Sequence, residues 1–450
     1  MKKFYELLRL LWNIVRCEMG ASEMNTTGIS ELDAAIPEFW AEGILADGNR
    51  ESFWGSLAGK EGSRMPIVDK PGPLKEKGDQ LSFNTIAQLM GTGVTGETRL
   101  RDTEEAMAIG TFTVSVDVVR HAVGVTWKAT RQANYGVIKS AGGLLKEWMT
   151  RKMDNDIFTT ILTDDNIETL YAGSTAGDVN DSTDDLNSHD GDYFGIGEIE
   201  LIRMALIRQG ALPLKVNKVN GRSIPIYGIV FGEIEDFRLS QNTIFMSAIK
   251  DALERFKGAM GSHPLFSGAL GIYRNMLLYP YYSALPIPQG TPLRPETTVA
   301  TTLTVGETST LTVGTTAASV MTVNVPDFTL FFATSGTLQI EEEILTYTAA
   351  TNNTFTTVGR GASSTTAAEH AAGALVTQRN IASVIGFGAE AVYRAIGDSP
   401  KPIGQKDDYG DEIGLGVKAY YGQAMRTDAR RGKTPNAVVL KCYSENPGLI

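Results

Sequence analysis

The sequence of 450 residues contains little of what disulfide-stapled, membrane-spanning or strongly cationic proteins need. Its two cysteines, Cys17 and Cys442, are too few for a disulfide framework. No run of 18 apolar residues occurs, so no membrane-spanning helix is expected. The 41 Lys and Arg residues are outnumbered by 52 Asp and Glu, and the net charge is −11. This balance argues against a protein that holds nucleic acid through a broad cationic face.

Motifs of enzyme chemistry are also missing. None of the four histidines (His121, His189, His263, His370) stands in an H-E-x-x-H motif or a zinc-ligand spacing, and no G-x-S-x-G occurs. GTGVTG (91–96) matches the dinucleotide-binding letters, but no apolar helical stripe follows it, and Val116 stands where an acid is needed. We predict a loop tip there, no enzyme activity and no cofactor.

An acidic segment at 184–195, DDLNSHDGDYFG, raises the question of a metal site. Asp184, Asp185, Asp190 and Asp192 are potential Ca²⁺ ligands. Their spacing does not match the EF-hand loop, because His189 and Asp190 stand where an acid and the invariant glycine belong. We therefore predict a solvated loop and no metal.

The first part of the chain predicts an arm, a loop and a long helix. Residues 1–20 have apolar side chains at three- and four-residue spacing, which indicates an amphipathic helix. Residues 61–120 are rich in Gly, Pro and charge and end in the period-two pattern of Thr111–Val119, which predicts an extended two-stranded loop. Residues 128–163 carry one helical apolar stripe, which we expect to pack on a sheet.

The rest of the chain alternates between helical and strand patterns and is interrupted once. Helices are predicted at 197–209 and 233–241, and a strand buried on both faces at 223–232. Residues 381–396 fit a helix or a strand followed by a helix, and strands are predicted at 413–426 and 436–444. These patterns indicate an α/β or α+β domain.

The interruption, at 291–380, has a composition of its own. It contains 24 Thr, no Lys and three Arg, and apolar residues alternate with Thr in stretches such as TLTV. Thr is β-branched and suits a pleated surface, and glycines punctuate the block as turns. We predict a small all-β domain inserted into a domain whose halves are 196–290 and 380–450.

The order of these parts resembles a known family. KGDQLSFNTIAQLMGTGVTGETRLRDTEEAM, KSAGGLLKEWMTRKMDNDIFTTIL, IPIYGIVFGEIEDFRLS and DDYGDEIGLGVKAYYG are similar to stretches of tailed-bacteriophage major capsid proteins of the Hong Kong 97-type fold, in the N-four-like podovirus branch. The resemblance implies an α+β capsid fold. Its expected parts are an N-terminal arm (1–60), an extended E-loop (61–120), a P-domain with the spine helix (121–195), an A-domain (196–290 and 380–450) and an inserted β-rich domain on the outer surface (291–379).

The resemblance also implies a function. The chain would assemble with itself as hexamers and pentamers into an icosahedral shell that encloses double-stranded DNA without sequence-specific binding. Its expected partners are scaffolding and portal proteins and a decoration protein, with no membrane, and assembly would occur in the host cytoplasm before the chain resides in the virion capsid. The implied inter-subunit contacts on the loop are charged: Lys75, Lys77, Glu97, Arg99, Arg101, Glu104 and Glu105.

One alternative comes from a different class of protein. The Thr-rich β block is compatible with an adhesin or carbohydrate-binding protein of the virion surface. That hypothesis predicts that the isolated block retains affinity for glycans, whereas a shell protein forms giant homo-oligomers and turns over no substrate.

Overall fold

The computed structural model describes most of the chain from Ser52 onward. The described residues are 52–71, 78–86, 89–97, 99–101, 103–132, 137–173, 179, 192–219, 222–247, 271–282, 290–305, 310–313, 329, 331–351, 353–356, 358–407, 411–428 and 432–444. The predicted N-terminal helix and most of the acidic segment at 184–195 lie outside these ranges. The described chain forms two compact units. The smaller has parts of 120–145 and 400–418, and the larger has the remainder.

The elements that the structure describes before residue 290 are strands and four helices. In chain order they are β1 (Ala58–Gly59), β2 (Ile67–Pro71), β3 (Gln80–Ile86), β4 (Ile109–Ser115), β5 (Asp117–Thr126), α1 (Trp127–Gln132), α2 (Val137–Leu162), β6 (Glu168–Tyr171), α3 (Ile196–Gln209), β7 (Lys215–Val219), β8 (Arg222–Phe231), α4 (Glu233–Gln241), β9 (Gly271–Tyr273) and β10 (Met276–Pro280). A single 3-10 turn at Trp54–Leu57 precedes β1.

The labelled elements after residue 290 are all strands. They are β11 (Gly290–Thr291), β12 (Arg294–Thr298), β13 (Thr310–Thr312), β14 (Gly336–Ile340), β15 (Glu343–Tyr347), β16 (Ala349–Thr351), β17 (Thr354–Thr356), β18 (Leu375–Thr377), β19 (Ile381–Phe387), β20 (Val392–Asp407), β21 (Glu412–Met425) and β22 (Ala437–Tyr443). The predicted helix within 381–396 is wrong. Its apolar run fits a buried strand as well as a helix, and the chain forms β19 and the start of β20.

The largest sheet of the larger unit has the order β6-β22-β19-β8-β10-β9, and β7 pairs with β8. Strand β8 is buried on both faces, as its continuous apolar run predicts. Ile229 joins a core cluster with α3, and its neighbour Val230 joins a second cluster with α2. The sheet is therefore covered by a helix on each face.

Local sequence determines which side of helix α3 is buried and where the helix begins and ends. Its buried residues are Glu198, Ile199, Ile202, Ala205 and Leu206, one apolar stripe interrupted by a single acid. The side chain of Glu198 accepts a hydrogen bond from the backbone N–H of Gly195 at 2.8 Å, which caps the helix start. The helix ends at Gly210, whose φ of 74° suits glycine.

Helix α2 is the long helix that the stripe at 128–163 predicts, and it runs for 26 residues. In the larger unit its buried Ile157, Phe158 and Ile161 pack with Ile385 and Val439 of the sheet. The expected packing of this helix on a sheet is confirmed.

The described strands between 290 and 377 form two sheets, in the orders β11-β12-β18-β14-β15 and β13-β17-β16. One apolar cluster lies in this region. Its buried members are Val299, Leu303, Leu311, Val313, Phe332, Leu338, Ile340, Leu345, Tyr347, Phe355, Val358 and Val376. All of them lie within the Thr-rich block, so the block supplies its own apolar core.

The smaller unit contains most of β5, helix α1, the first part of α2, and adjoining halves of β20 and β21. Trp127 begins α1, and its backbone N–H donates to the carbonyl of Asp411 at 2.6 Å. The guanidinium of Arg131 lies 5.0 Å from the centre of the Trp127 ring, a cation–π distance.

Candidate subunit interface on the hairpin

Strands β3 and β4 form an antiparallel pair, with Gln80 opposite Ser115 and Ile86 opposite Ile109. We call residues 78–116 the hairpin. Both strands show the same alternation of exposed and buried positions, which follows from the period of two in a strand. The two-stranded loop that the sequence predicts is confirmed by this pairing.

The base of the hairpin is anchored by aromatic packing. Phe83 and Phe112 lie opposite each other, and their rings stack with centroids 5.2 Å apart. The ring of Tyr393 packs edge-on against both, at 4.9 and 5.1 Å. These residues share a buried cluster with Val68 and Ala395 of strands β2 and β20. Burial raises the pKa of Tyr393 to about 12, so its hydroxyl is neutral at physiological pH.

The distal half of the hairpin has a different surface. Six large apolar side chains there are between 60% and 68% exposed: Ile86, Leu89, Met90, Leu100, Met107 and Ile109. Scattered single apolar residues are normal on a protein surface, but a group on one loop marks an interaction site. The sequence reasoning missed this group. Its signal was that Ile86 and Ile109 stand out of phase with the buried Phe83 and Phe112, on the other face of the strands.

Four of the charged residues expected to contact a neighbouring subunit lie on this distal half. The side chains of Glu97, Arg99, Arg101 and Glu104 are exposed, with two positive charges between two negative ones. Lys75 and Lys77 lie outside the described residues.

Glu105 has a contact within the loop. Its carboxylate accepts hydrogen bonds from the backbone N–H groups of Met90 and Gly91, at 2.8 and 2.6 Å. A Cβ at Gly91 would lie 2.8 Å from the Glu105 Oε2, so glycine permits this approach. Glu105 therefore braces the two sides of the loop behind the exposed charges.

The GTGVTG segment lies in the same loop. It belongs to no strand or helix, and Gly93 and Gly96 have φ values of 69° and 72°. A dinucleotide site needs this segment between a strand and a helix. The loop that the sequence predicts here is confirmed.

Among the described residues, no group of three or more His, Cys, Asp and Glu side chains is placed to hold a metal ion. The helices within the described ranges include none that is long and apolar enough to span a membrane.

Comparison with known proteins gives a consistent result. The family model "Phage capsid protein" matches residues 28–185, which contain the whole hairpin and helix α2. Over these residues the chain is similar to phage capsid proteins. The comparison with curated proteins finds no match.

Solved structures of phage capsids share the fold of this chain over nearly its full length. The capsid of Ralstonia phage GP4 is 15% identical, with a TM-score of 0.55, and the match covers 89% of this chain and 93% of that one. The acid-stable capsid of Helicobacter pylori bacteriophage KHP30 is 15% identical, with a TM-score of 0.56 and 95% coverage of both chains. Cyanophage Pam1 capsid is 12% identical, with a TM-score of 0.54, covering 95% and 97%.

These findings confirm the expected α+β capsid fold. These three solved structures are all described as phage capsids. No comparison favours the adhesin or carbohydrate-binding alternative.

Proposed function

We propose that this chain is a capsid protein that builds a closed icosahedral shell, as hexamers and pentamers, and that the distal hairpin is the element that joins adjacent subunits. The observation that carries the proposal is the contrast along the hairpin, which is anchored by buried aromatic rings at its base and covered with exposed apolar side chains distally. Closed assembly from one chain requires the same surfaces to be reused in every subunit.

The chemistry of the distal hairpin suits a contact with another copy of the chain. The exposed apolar side chains supply area to bury, and the mixed charges of Glu97, Arg99, Arg101 and Glu104 give the contact its register. Lys75 and Lys77 are proposed as further charged contacts with the neighbouring subunit. Glu105 is proposed to hold the loop in shape for this contact.

The finer assignments follow the capsid family. The segments 1–60, 61–120, 121–195, 196–290 with 380–450, and 291–379 are proposed as arm, E-loop, P-domain, A-domain and outward-facing inserted domain, in a virus of the N-four-like podovirus branch. The shell is proposed to assemble in the host cytoplasm with scaffolding and portal proteins, and to accept a decoration protein. The net charge of −11 suits a shell that contains double-stranded DNA without adhering to it.

The hairpin proposal is tested by placing a charge on its apolar surface. Leu100→Asp should leave the chain folded, because the side chain is 62% exposed, and should abolish shells. Val305→Asp is the matched control, since Val305 is 53% exposed on the Thr-rich block, away from the hairpin. Both variants are co-expressed with the neighbouring phage genes, and particles are counted by negative-stain electron microscopy and sedimentation.

The role of the charged residues is tested by reversing one charge. Arg101→Glu alone should reduce particle yield at low salt, and the reduction should shrink in high salt, because exposed charges are screened. Wild-type particle yields from both Leu100→Asp and Arg101→Glu would reject the hairpin as the joining element. Loss of shells with the Val305→Asp control as well would mean that any new surface charge prevents assembly.

A further inference from the structure

A cleft of about 370 Å³ lies where the Thr-rich block meets the large sheet. One wall is formed by residues of helix α2 and of strands β19 and β22, including Thr159, Ser383 and Lys441. The opposite wall comes from the block and includes Phe331 and Pro292. The volume is in the range of sites for small organic ligands.

The charged residues that line this cleft, among those the structure describes, are positive. They are Lys441 and Arg379, and none of the described lining residues is Asp or Glu. Lys441 lies opposite Ser383 in the paired strands β22 and β19, and its Nζ donates to the Ser383 Oγ at 2.6 Å. A hydroxyl does not neutralise an ammonium group.

Neither basic side chain has a carboxylate partner among the described residues. The Nε of Arg379 is buried and has no hydrogen-bond partner there. Burial lowers the pKa of Lys441, as expected of an ammonium group removed from water without a counter-charge. Cations removed from water are normally paired, so two half-buried cations in one cleft suit an anionic ligand.

The backbone that carries Arg379 is unusual. Arg379 and Asn380 both have positive φ, 58° and 51°, although neither is glycine. The Thr377 hydroxyl holds this turn, donating to the Asn380 Oδ1 at 2.9 Å and accepting from the Asn380 N–H. Such a backbone conformation costs free energy and persists only where the surrounding structure enforces it. The turn therefore fixes the backbone from which the Arg379 side chain extends.

The rest of the lining is apolar or hydroxylated. Phe331, Phe332 and the prolines 292 and 295 offer flat apolar surface. The hydroxyls of Thr159 and Thr163 donate to helix carbonyls and can accept hydrogen bonds from a ligand. A bare inorganic anion would leave the apolar surface unused. A hydrocarbon would leave the two cations unpaired.

We propose that this cleft binds a carboxylate attached to an aromatic or branched apolar body, with the carboxylate between Arg379 and Lys441 and the body against Phe331 and Phe332. The carboxylate can belong to a free acid or to the last residue of a peptide, which share this chemistry. The proposal does not depend on how the shell assembles, because every residue it uses belongs to one chain.

The test uses the full-length chain in whatever assembled state it is isolated. N-acetyl-phenylalanine is the probe, its primary amide is the neutral control of the same shape, and inorganic phosphate is the anion without an apolar body. Binding is followed by saturation-transfer NMR, which suits a large particle, and by calorimetry. A tripeptide ending in phenylalanine and benzoate then separate the peptide from the free-acid source.

We expect the acid to bind at least about tenfold more tightly than its amide, because hydrogen bonds to a charged partner are the strong ones. Lys441→Met and Arg379→Gln should each weaken binding of the acid about tenfold or more. Lys441→Met replaces a buried cation by an apolar chain of similar length, so the fold should persist, and thermal unfolding of the variant verifies this.

Lys418→Met is the matched control, since Lys418 is an exposed strand residue remote from the cleft in sequence and absent from its lining. It should bind the acid like the wild type. Equal affinity for acid and amide, or undiminished binding by both cleft variants, would overturn the proposal. Phosphate that competes as well as the acid would overturn the assignment of the apolar body.

Discussion

The buried carboxylate of Glu343, in the Thr-rich block, accepts several hydrogen bonds. We predict that removing its charge destabilises the strands around it. Its Oε1 accepts from the Nε of Arg360 at 2.8 Å and the backbone N–H of Gly361 at 2.9 Å. Its Oε2 accepts from the Nη2 of Arg360 at 2.8 Å and the N–H of Ala368 at 2.9 Å, and lies 2.8 Å from the Nε2 of His370. The carboxylate is 1% exposed and the Arg360 side chain 4%.

The magnitude follows from the pKa. Burial by itself raises the pKa of Glu343, but the hydrogen bonds from Arg360, Ala368, His370 and Gly361 outweigh it and lower the pKa to about 2 from a normal 4.5. At about 1.4 kcal/mol for each pKa unit, the site favours the charged carboxylate by about 3 kcal/mol. Glu343→Gln removes this stabilisation, because the neutral amide leaves the buried Arg360 without its counter-ion.

The assay is hydrogen exchange of the full chain, followed by mass spectrometry on peptides from strands β14 and β15. Because a free-energy loss of about 3 kcal/mol corresponds to a factor of about 100 in an opening constant, protection of these amides should fall about 100-fold in Glu343→Gln. Glu342→Gln is the control, since Glu342 is the exposed neighbour in sequence. Equal protection in the two variants would refute the reasoning.

Three further predictions follow from other contacts. The stabilisation from Glu343 is fully present above about pH 5 and is lost as the pH falls toward 2, because the pKa of Glu343 is lower in the folded chain than in the unfolded chain. Hydrogen exchange of β14 and β15 should become faster between about pH 5 and pH 3, relative to the intrinsic rate. In Glu343→Gln this dependence on pH should be weaker. Gly386→Val should destabilise the chain by about 1–3 kcal/mol in thermal unfolding, since a Cβ there would lie 2.2 Å from the Ile202 Cγ2, and an added Ile202→Ala should recover part of the loss. Phe112→Ala should cost about 3–5 kcal/mol at the hairpin base by removing the contact with Phe83, and proteolysis within residues 78–116 should accelerate, whereas an unchanged cleavage rate would contradict the anchoring role.

Sequence periodicity predicted the local elements well where a single face is buried. The helix expected at 197–209 forms at Ile196–Gln209, and the one at 233–241 forms with those bounds. The error at 381–396 has a physical origin. A strand buried on both faces has no alternation, so an apolar run of this length fits a helix equally well until its neighbours are known.

The residues of the candidate interface also differ in how well the sequence predicts them. The charged row at 97–105 was visible in the sequence because charges in a loop are exposed wherever the loop goes. The exposed apolar side chains of the hairpin were not, since nothing in Leu100 itself distinguishes it from the buried Leu145. Exposure depends on what packs against a residue, and that is a property of the tertiary structure.

The sequence alone thus determined the main helices and strands, the two-stranded hairpin and the Thr-rich block, because these follow from short-range periodicity and composition. Only the tertiary structure decided which side chains meet. Glu343, Arg360 and His370 are brought together by strands and turns of the block, and the cleft joins residues from Thr159 to Lys441. Contacts across such separations are set by strand order and register, which local sequence patterns do not encode.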